Sequence, residues 1–304
     1  MKKIKLFKGA ITLGIFLMIW FQFAIYSSAQ ELPPKLVTTD WLAKNLSNEK
    51  IRIIDMRADI RDYWESHIPE AAYLDPAVLR WTEGGVSGKL VPPAAFVLML
   101  GELGINENTY VIVYSERNSY RATYLIWALD YIGHKSSALL AEGFERWRRE
   151  GRALTQDYPP IKATQYKLPS KLNTELRATL EEVKKAVDSG DAVILDVRPV
   201  DLYTGEKGTW KRRGHIKGAI NHFWALDLME DGSWKSKEEL ARLYESIGAT
   251  PDKTILVSCG QGQMASHTYF TLKYILGYPK VKNYDGSYNE WSNIDELPVE
   301  TGQK

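Results

Sequence analysis

Short apolar runs alternate with helix-length amphipathic segments along this chain, and the runs come in two matching sets. IRIIDMR at residues 51–57 and AVILDVR at 192–198 each read as a buried strand ending in an acid, one further residue and an arginine. A His-Ile-x-x-Ala turn follows each, SHIPEA from Ser66 and GHIKGA from Gly214. A second strand comes next, YVIVYS closing on Ser115 and TILVSC closing on Cys259. Each set ends on a glycine-aromatic-tryptophan segment, EGFERW at 142–147 and DGSYNEW at 285–291. Four elements recurring in one order at nearly one spacing predict two homologous domains of about 120 to 130 residues.

Strand-like runs separated by helical patterns are the mark of parallel strands joined by crossover helices, so the expected fold class is α/β. In the second half the helix signals are explicit. Thr179-x-x-Glu182 and Ser236-x-x-Glu239 are capping boxes, and Leu240, Leu243, Tyr244 and Ile247 follow the latter at helical spacing before Gly248. A further apolar-periodic stretch, 269–276, stops at Gly277. Between the halves, residues 151–172 carry Pro159, Pro160 and Pro169 with little apolar periodicity, and read as an extended linker. The expected domains are therefore 30–150 and 173–304.

Composition narrows the class. With 39 Lys+Arg against 38 Asp+Glu, the net charge of +1 offers no concentrated basic surface for a nucleic-acid backbone. One cysteine in 304 residues excludes a disulfide framework. At the N-terminus, Lys2, Lys3, Lys5 and Lys8 precede an apolar run and then Ser27-Ser28-Ala29, the pattern of a secretory signal over residues 1–29. The run is also at the lower limit for spanning a bilayer, so an uncleaved anchor is the alternative, and only in that case is a membrane a partner. Either way the bulk of the chain is expected outside the cytoplasm. No cysteine stands just after the apolar run, the one cysteine being Cys259, which excludes lipoprotein processing. Losing those four lysines and no acids turns the formal charge from +1 to −3.

Cys259 is the candidate for chemistry. It is expected at the C-terminal tip of a parallel strand, in a loop opening onto a helix N-terminus, where α/β sheets place their ligands. Unpaired backbone N–H groups and the helix dipole there favour the thiolate, and Gly260 and Gly262 let the loop turn its N–H groups inward. The alternative is a small buried hydrophobe, the commoner fate of a free cysteine. Cysteine-dependent phosphatases place an arginine six positions after the cysteine, but here that position is Ala265, and no Lys or Arg occurs from Cys259 to His267. The five histidines form no close pair at ligand spacing near Cys259, so no metal site is expected, and His67 and His215 read as structural.

The segments DVR at Asp196, GHIKGAIN at Gly214, the stretch 243–278 and NYDGSYNEW at Asn283 closely resemble the second domain of tandem rhodaneses, the thiosulfate sulfurtransferase family, which includes 3-mercaptopyruvate sulfurtransferases. DWLAKNL at Asp40, IIDMR at Ile53 and SHIPEA at Ser66 resemble the paired non-catalytic domain. The resemblance implies two rhodanese-like domains, each a five-stranded parallel sheet flanked by helices, with the active loop in the second. Cys259 would form a persulfide, held by the loop of Gly260, Gln261, Gly262, Gln263, Met264 and Ala265. Ser115, the equivalent strand tip in the first half, cannot hold a sulfane sulfur.

The implied partners are a small-molecule sulfur donor and a thiophilic acceptor, with no metal and no organic cofactor. This loop departs from the family: it carries neither the basic residues of thiosulfate-type members nor the small hydroxyl residues of mercaptopyruvate-type members. The arginine often found four residues beyond the DVR arginine is Leu202 here. Lys211, Arg212 and Arg213 are the remaining basic cluster to steer an anion. The expected function is a thiosulfate sulfurtransferase; the alternatives are a 3-mercaptopyruvate sulfurtransferase and a non-catalytic binding or sulfur-carrier module. Nothing in the pattern marks an oligomer interface.

Overall fold

A computed structural model describes residues 34–303 of the chain, and the expected export segment at residues 1–29 lies outside them. No helix among the described residues is long and apolar enough to cross a membrane.

In the first half the apolar runs form β1 (Leu36–Val37), β2 (Ile51–Asp55) and β3 (Ala71–Tyr73), then β4 (Arg80–Glu83), β5 (Val86–Leu90), β6 (Tyr110–Tyr114) and β7 (Ser137–Leu140). Five of them make one parallel sheet in the order β1-β7-β6-β2-β3. Ile53, Ile54 and the run from Val111 to Tyr114 are buried on both faces, which is why these strands read as unbroken apolar runs. Strands β4 and β5 pair separately as an antiparallel hairpin.

The second half repeats the plan with β8 (Ala192–Asp196), β9 (His215–Ile216), β10 (Ile220–Asn221), β11 (Thr254–Ser258), β12 (Val281–Asn283) and β13 (Val299–Glu300). Its parallel sheet runs β10-β8-β11-β12. This corrects the implied five strands per domain. At the place of β1, the second half has only a single parallel bridge from Arg177 to Asn283. A 3₁₀ turn over Thr174–Leu176 precedes it and the cap Thr179 follows it, leaving no length for a strand.

Helices α1 (Thr39–Asn45), α2 (Ile60–Glu65), α3 (Pro93–Glu102), α4 (Arg121–Tyr131) and α5 (Gly143–Arg149) serve the first half. Helices α6 (Leu180–Ser189), α7 (Val200–Thr204), α8 (Lys237–Ser246), α9 (Gln263–Phe270) and α10 (Ser287–Trp291) serve the second. Both expected capping boxes form, with side chain and backbone bonded reciprocally at Thr179/Glu182 and Ser236/Glu239. The last expected helix starts earlier than its apolar periodicity indicates. It springs directly from the Cys259 loop at Gln263, then widens into a π-helical turn over Thr271–Leu276 before Gly277.

From Ala122 to Tyr131, α4 is buried all round, because it lies between its own sheet and α9. Leu125, Trp127 and Ala128 share one core with Val257, Ala265, Tyr269 and Phe270 of the second half. The outer face of each sheet has its own smaller core, around Leu42, Ile53 and Trp147 in one and Val183, Ile194 and Trp291 in the other. Residues 156–173 carry no helix or strand; they lie along the first half, where Thr164 N–H donates to the Gly101 carbonyl at 2.9 Å.

Candidate active site

Strand β11 is flanked in parallel by β8 and β12, so its end at Ser258 opens at the carboxyl edge of the sheet, and Cys259 is the next residue. The loop is tied down by the segment that follows β12. Ser287 Oγ accepts from the N–H groups of Cys259 and Gly262, both at 3.0 Å, and donates to the Tyr284 carbonyl at 2.6 Å. Asn283 Nδ2 donates to the Gly262 carbonyl, while the N–H groups of Tyr288 and Asn289 donate to the carbonyls of Cys259 and Gly260. The NYDGSYNEW segment is thus the frame of the loop.

Gly262 is left-handed at φ +77, and a Cβ there would stand 2.8 Å from the Asp285 carbonyl oxygen. Gly260 serves close approach instead of curvature, since its Cβ would lie 2.9 Å from the Trp210 ring.

Cys259 is 1% exposed. Burial pushes its thiol up from the ordinary value, against the backbone N–H groups of Ala265 and Gln261 and the Ser287 hydroxyl, which favour the anion. The sequence-based expectation that the loop lowers this pKa is therefore corrected: donors are present, but desolvation outweighs them. Nor do all the loop N–H groups turn inward, because that of Gly262 is taken by Ser287.

Cys259 lies at the base of a cavity of about 420 Å³. Gly260, Gln261, Gln263 and Met264 form one side with Tyr120 of the first half; Leu202, Thr209, Trp210 and Lys211 form another, and Asn289 and Asn293 a third. Ala265 is buried behind the loop. Gln261 accepts at Oε1 from Arg80 of the β4–β5 hairpin, so the first half reaches the loop.

The expected basic cluster divides. Lys211 lines the cavity and pairs with Asp295 at 2.7 Å. Arg213 is exposed and not among the cavity-lining residues. Arg212 is unsuited to steering an anion, because its guanidinium donates to the carbonyls of Trp291, Ser292, Ile294, Asp295 and Leu297, closing the end of α10. A basic residue that the sequence reading passed over, Arg198, does line the cavity. His67 and His215 bond backbone carbonyls of Tyr63 and Tyr203 and stack on those rings, a structural use.

Ser115 follows β6 as Cys259 follows β11, yet its surroundings differ. Leu228, Gly232 and Trp234 from the second half close over it, leaving about 30 Å³. Gly143, 144 residues before Ser287 as Ser115 is before Cys259, stands in the place of Ser287, so no hydroxyl anchors the loop there. This half has lost the sulfur, its anchor and its space.

The pairing of a duplicated parallel sheet with one thiol loop is matched by comparison with known proteins. The rhodanese-like domain model matches residues 38–150 and again residues 179–294. The chain belongs to the rhodanese-like family. Among rhodanese relatives, the sulfur carrier protein TtuD of Thermus thermophilus is 37% identical over 284 residues, 90% of this chain and 98% of that protein. A thiosulfate sulfurtransferase of Corynebacterium glutamicum is 30% identical over 280 residues, 89% and 92% of the two chains. The anaerobic ergothioneine biosynthesis enzyme of Chlorobium limicola, solved with trimethyl histidine, matches this rhodanese fold with a TM-score of 0.81 at 24% identity. That match covers 89% of this chain and 71% of the solved one, and the likeness is one of fold.

Proposed function

We propose that this protein is a thiosulfate sulfurtransferase that carries sulfur as a persulfide on Cys259. The observation that carries the reading is the chain's one thiol, buried at a parallel strand tip, approached by the N–H groups of Gln261 and Ala265, and lining a cavity of a size for a small donor. The names of the Corynebacterium and Thermus relatives support both halves of it, transfer and carriage.

The chemistry is a double displacement. The Cys259 thiolate attacks the outer sulfur of thiosulfate; the S–S bond of the donor breaks and sulfite leaves with the electron pair, so that one negative charge remains on the terminal sulfur of Cys259-S-S⁻. The loop N–H groups that favour the thiolate suit this charge as well. Cyanide or a thiolate then attacks the outer sulfur and returns the Cys259 thiolate. The lysine-led apolar N-terminus supports an extracytoplasmic place for this reaction.

The test is intact mass after incubation with thiosulfate. One added sulfur atom on the wild type, none on Cys259→Ser, and thiocyanate formation with cyanide are expected. A Cys259→Ser variant with undiminished turnover would overturn the reading. A second donor, 3-mercaptopyruvate, is favoured by the neutral loop and the carboxamide-lined cavity wall of Gln261, Gln263, Asn289 and Asn293. Comparing the two donors at equal concentration decides between them.

A further inference from the structure

The Asp-x-Arg motif is present in both halves, and in each the arginine is folded onto its own aspartate. Arg57 donates through Nε and Nη2 to Asp55, and through Nη2 to the Ser66 carbonyl at 2.8 Å. Arg198 repeats this with Asp196 and the Gly214 carbonyl, also at 2.8 Å. These bonds join β2 and β8 to the His-Ile turns that follow them, a structural duty that the first half performs with no thiol present.

Arg198 is set apart by its burial and by the cavity it borders. It is 0% exposed, yet its Nη1 has no hydrogen-bond partner in the protein. The rings of Tyr288 and Trp210 pack against its guanidinium, their centroids 4.2 Å and 4.9 Å from Cζ. Nε and Nη2 are taken by Asp196 and the Gly214 carbonyl. Arg198 is one of the residues that line the Cys259 cavity. A buried donor without an acceptor is costly, and one in a cavity wall is accounted for by a ligand that supplies the acceptor. The loop itself supplies no cation, and Arg212 is committed elsewhere.

We propose that Arg198 is the anion-recognition residue of this site, its Nη1 donating to an anionic oxygen of the sulfur donor while Cys259 meets the sulfur. The oxygen belongs to the sulfonate end of thiosulfate or the carboxylate of a mercapto acid, the shared chemistry being a charged acceptor one reach from a transferable sulfur. Because Asp196 balances the charge of Arg198 and Asp295 that of Lys211, recognition here is by directed hydrogen bonding. Binding is therefore only weakly sensitive to salt.

The proposal rests on the sulfur-transfer reading, and its test separates the two. Thiosulfate and 3-mercaptopyruvate are titrated calorimetrically into full-chain Cys259→Ala, alone and combined with Arg198→Lys or Arg57→Lys. Lysine can keep the pair with aspartate but has a single nitrogen and cannot also serve the cavity. Arg198→Lys should weaken binding of the productive donor roughly tenfold or more and, in the Cys259 enzyme, raise KM more than it lowers kcat. Arg57→Lys should leave both unchanged. Loss toward one donor only names that donor. Affinity within twofold of the parent, an equal loss in Arg57→Lys, or no binding of either donor to Cys259→Ala would overturn the proposal.

If Arg198→Lys does not fold, a crystal of Cys259→Ala soaked in thiosulfate answers the same question. An anion oxygen at hydrogen-bond distance from Nη1 supports it, and an anion held elsewhere overturns it. Wild-type protein that gains no sulfur by intact mass, alongside Arg198-dependent anion binding, would defeat the transferase reading and leave the anion site standing.

Discussion

Cys259 is a buried thiol whose anion is met by peptide N–H groups, and these two conditions pull in opposite directions. Desolvation wins, raising the pKa, so at neutral pH the thiol form predominates. Below a raised pKa the thiolate fraction climbs about tenfold per pH unit. Sulfur loading from thiosulfate should therefore keep rising through pH 7 to 9 without a plateau, as followed by stopped-time mass spectrometry; a rate already level at pH 7 would contradict this. Ser287→Ala, which removes the anchor of the Cys259 and Gly262 N–H groups and the hydroxyl 3.9 Å from the sulfur, should shift the rise to still higher pH. Cys259 was legible from sequence because a strand tip followed by glycines is a local pattern. Ser287 and Arg198 were not: one anchors a loop 28 residues away, and the other shares its motif and its Asp pair with Arg57 and is set apart only by the cavity it lines.

At the level of elements, the loop from β11 to α9 has almost no freedom. Its carbonyls and N–H groups are met by the segment 283–289, and Gly262 starts α9 from a left-handed backbone. Gly262→Ala places a methyl 2.8 Å from the Asp285 carbonyl and forces an L side chain into φ +77. Strain of about 1–3 kcal/mol is typical of such a position. The expected result is an unchanged far-ultraviolet circular dichroism spectrum with sulfur loading reduced roughly tenfold or more; unchanged loading would mean that the loop relaxes freely. Strand and helix order was readable because β-branched runs and capping boxes are local. The missing fifth strand of the second sheet was not, since Arg177 leaves the strand role to meet Glu83 and Asp285, one of them in the other half.

Across the whole molecule, the halves meet through more than surface contact. Asp285 accepts from Leu90 N–H at 2.8 Å and Tyr124 OH at 3.2 Å of the first half, Thr123 and Ser266 hydroxyls meet at 3.0 Å, and α4 and α9 share one apolar core. A shared core of this kind couples unfolding, unlike the modest polar contacts that usually join domains. Calorimetry should record one cooperative transition with matching calorimetric and van't Hoff enthalpies; two separated transitions would show the halves to be independent. The duplication itself was plain in the sequence, but not its consequence for the first half. The second half's Gly232 segment fills the place beside Ser115 that a substrate would need. With one thiol and one open loop, the proposed persulfide chemistry would hold a single sulfur atom per chain, so each molecule would have to be emptied by an acceptor before it is charged again, and its throughput would be governed by the slower of those two visits.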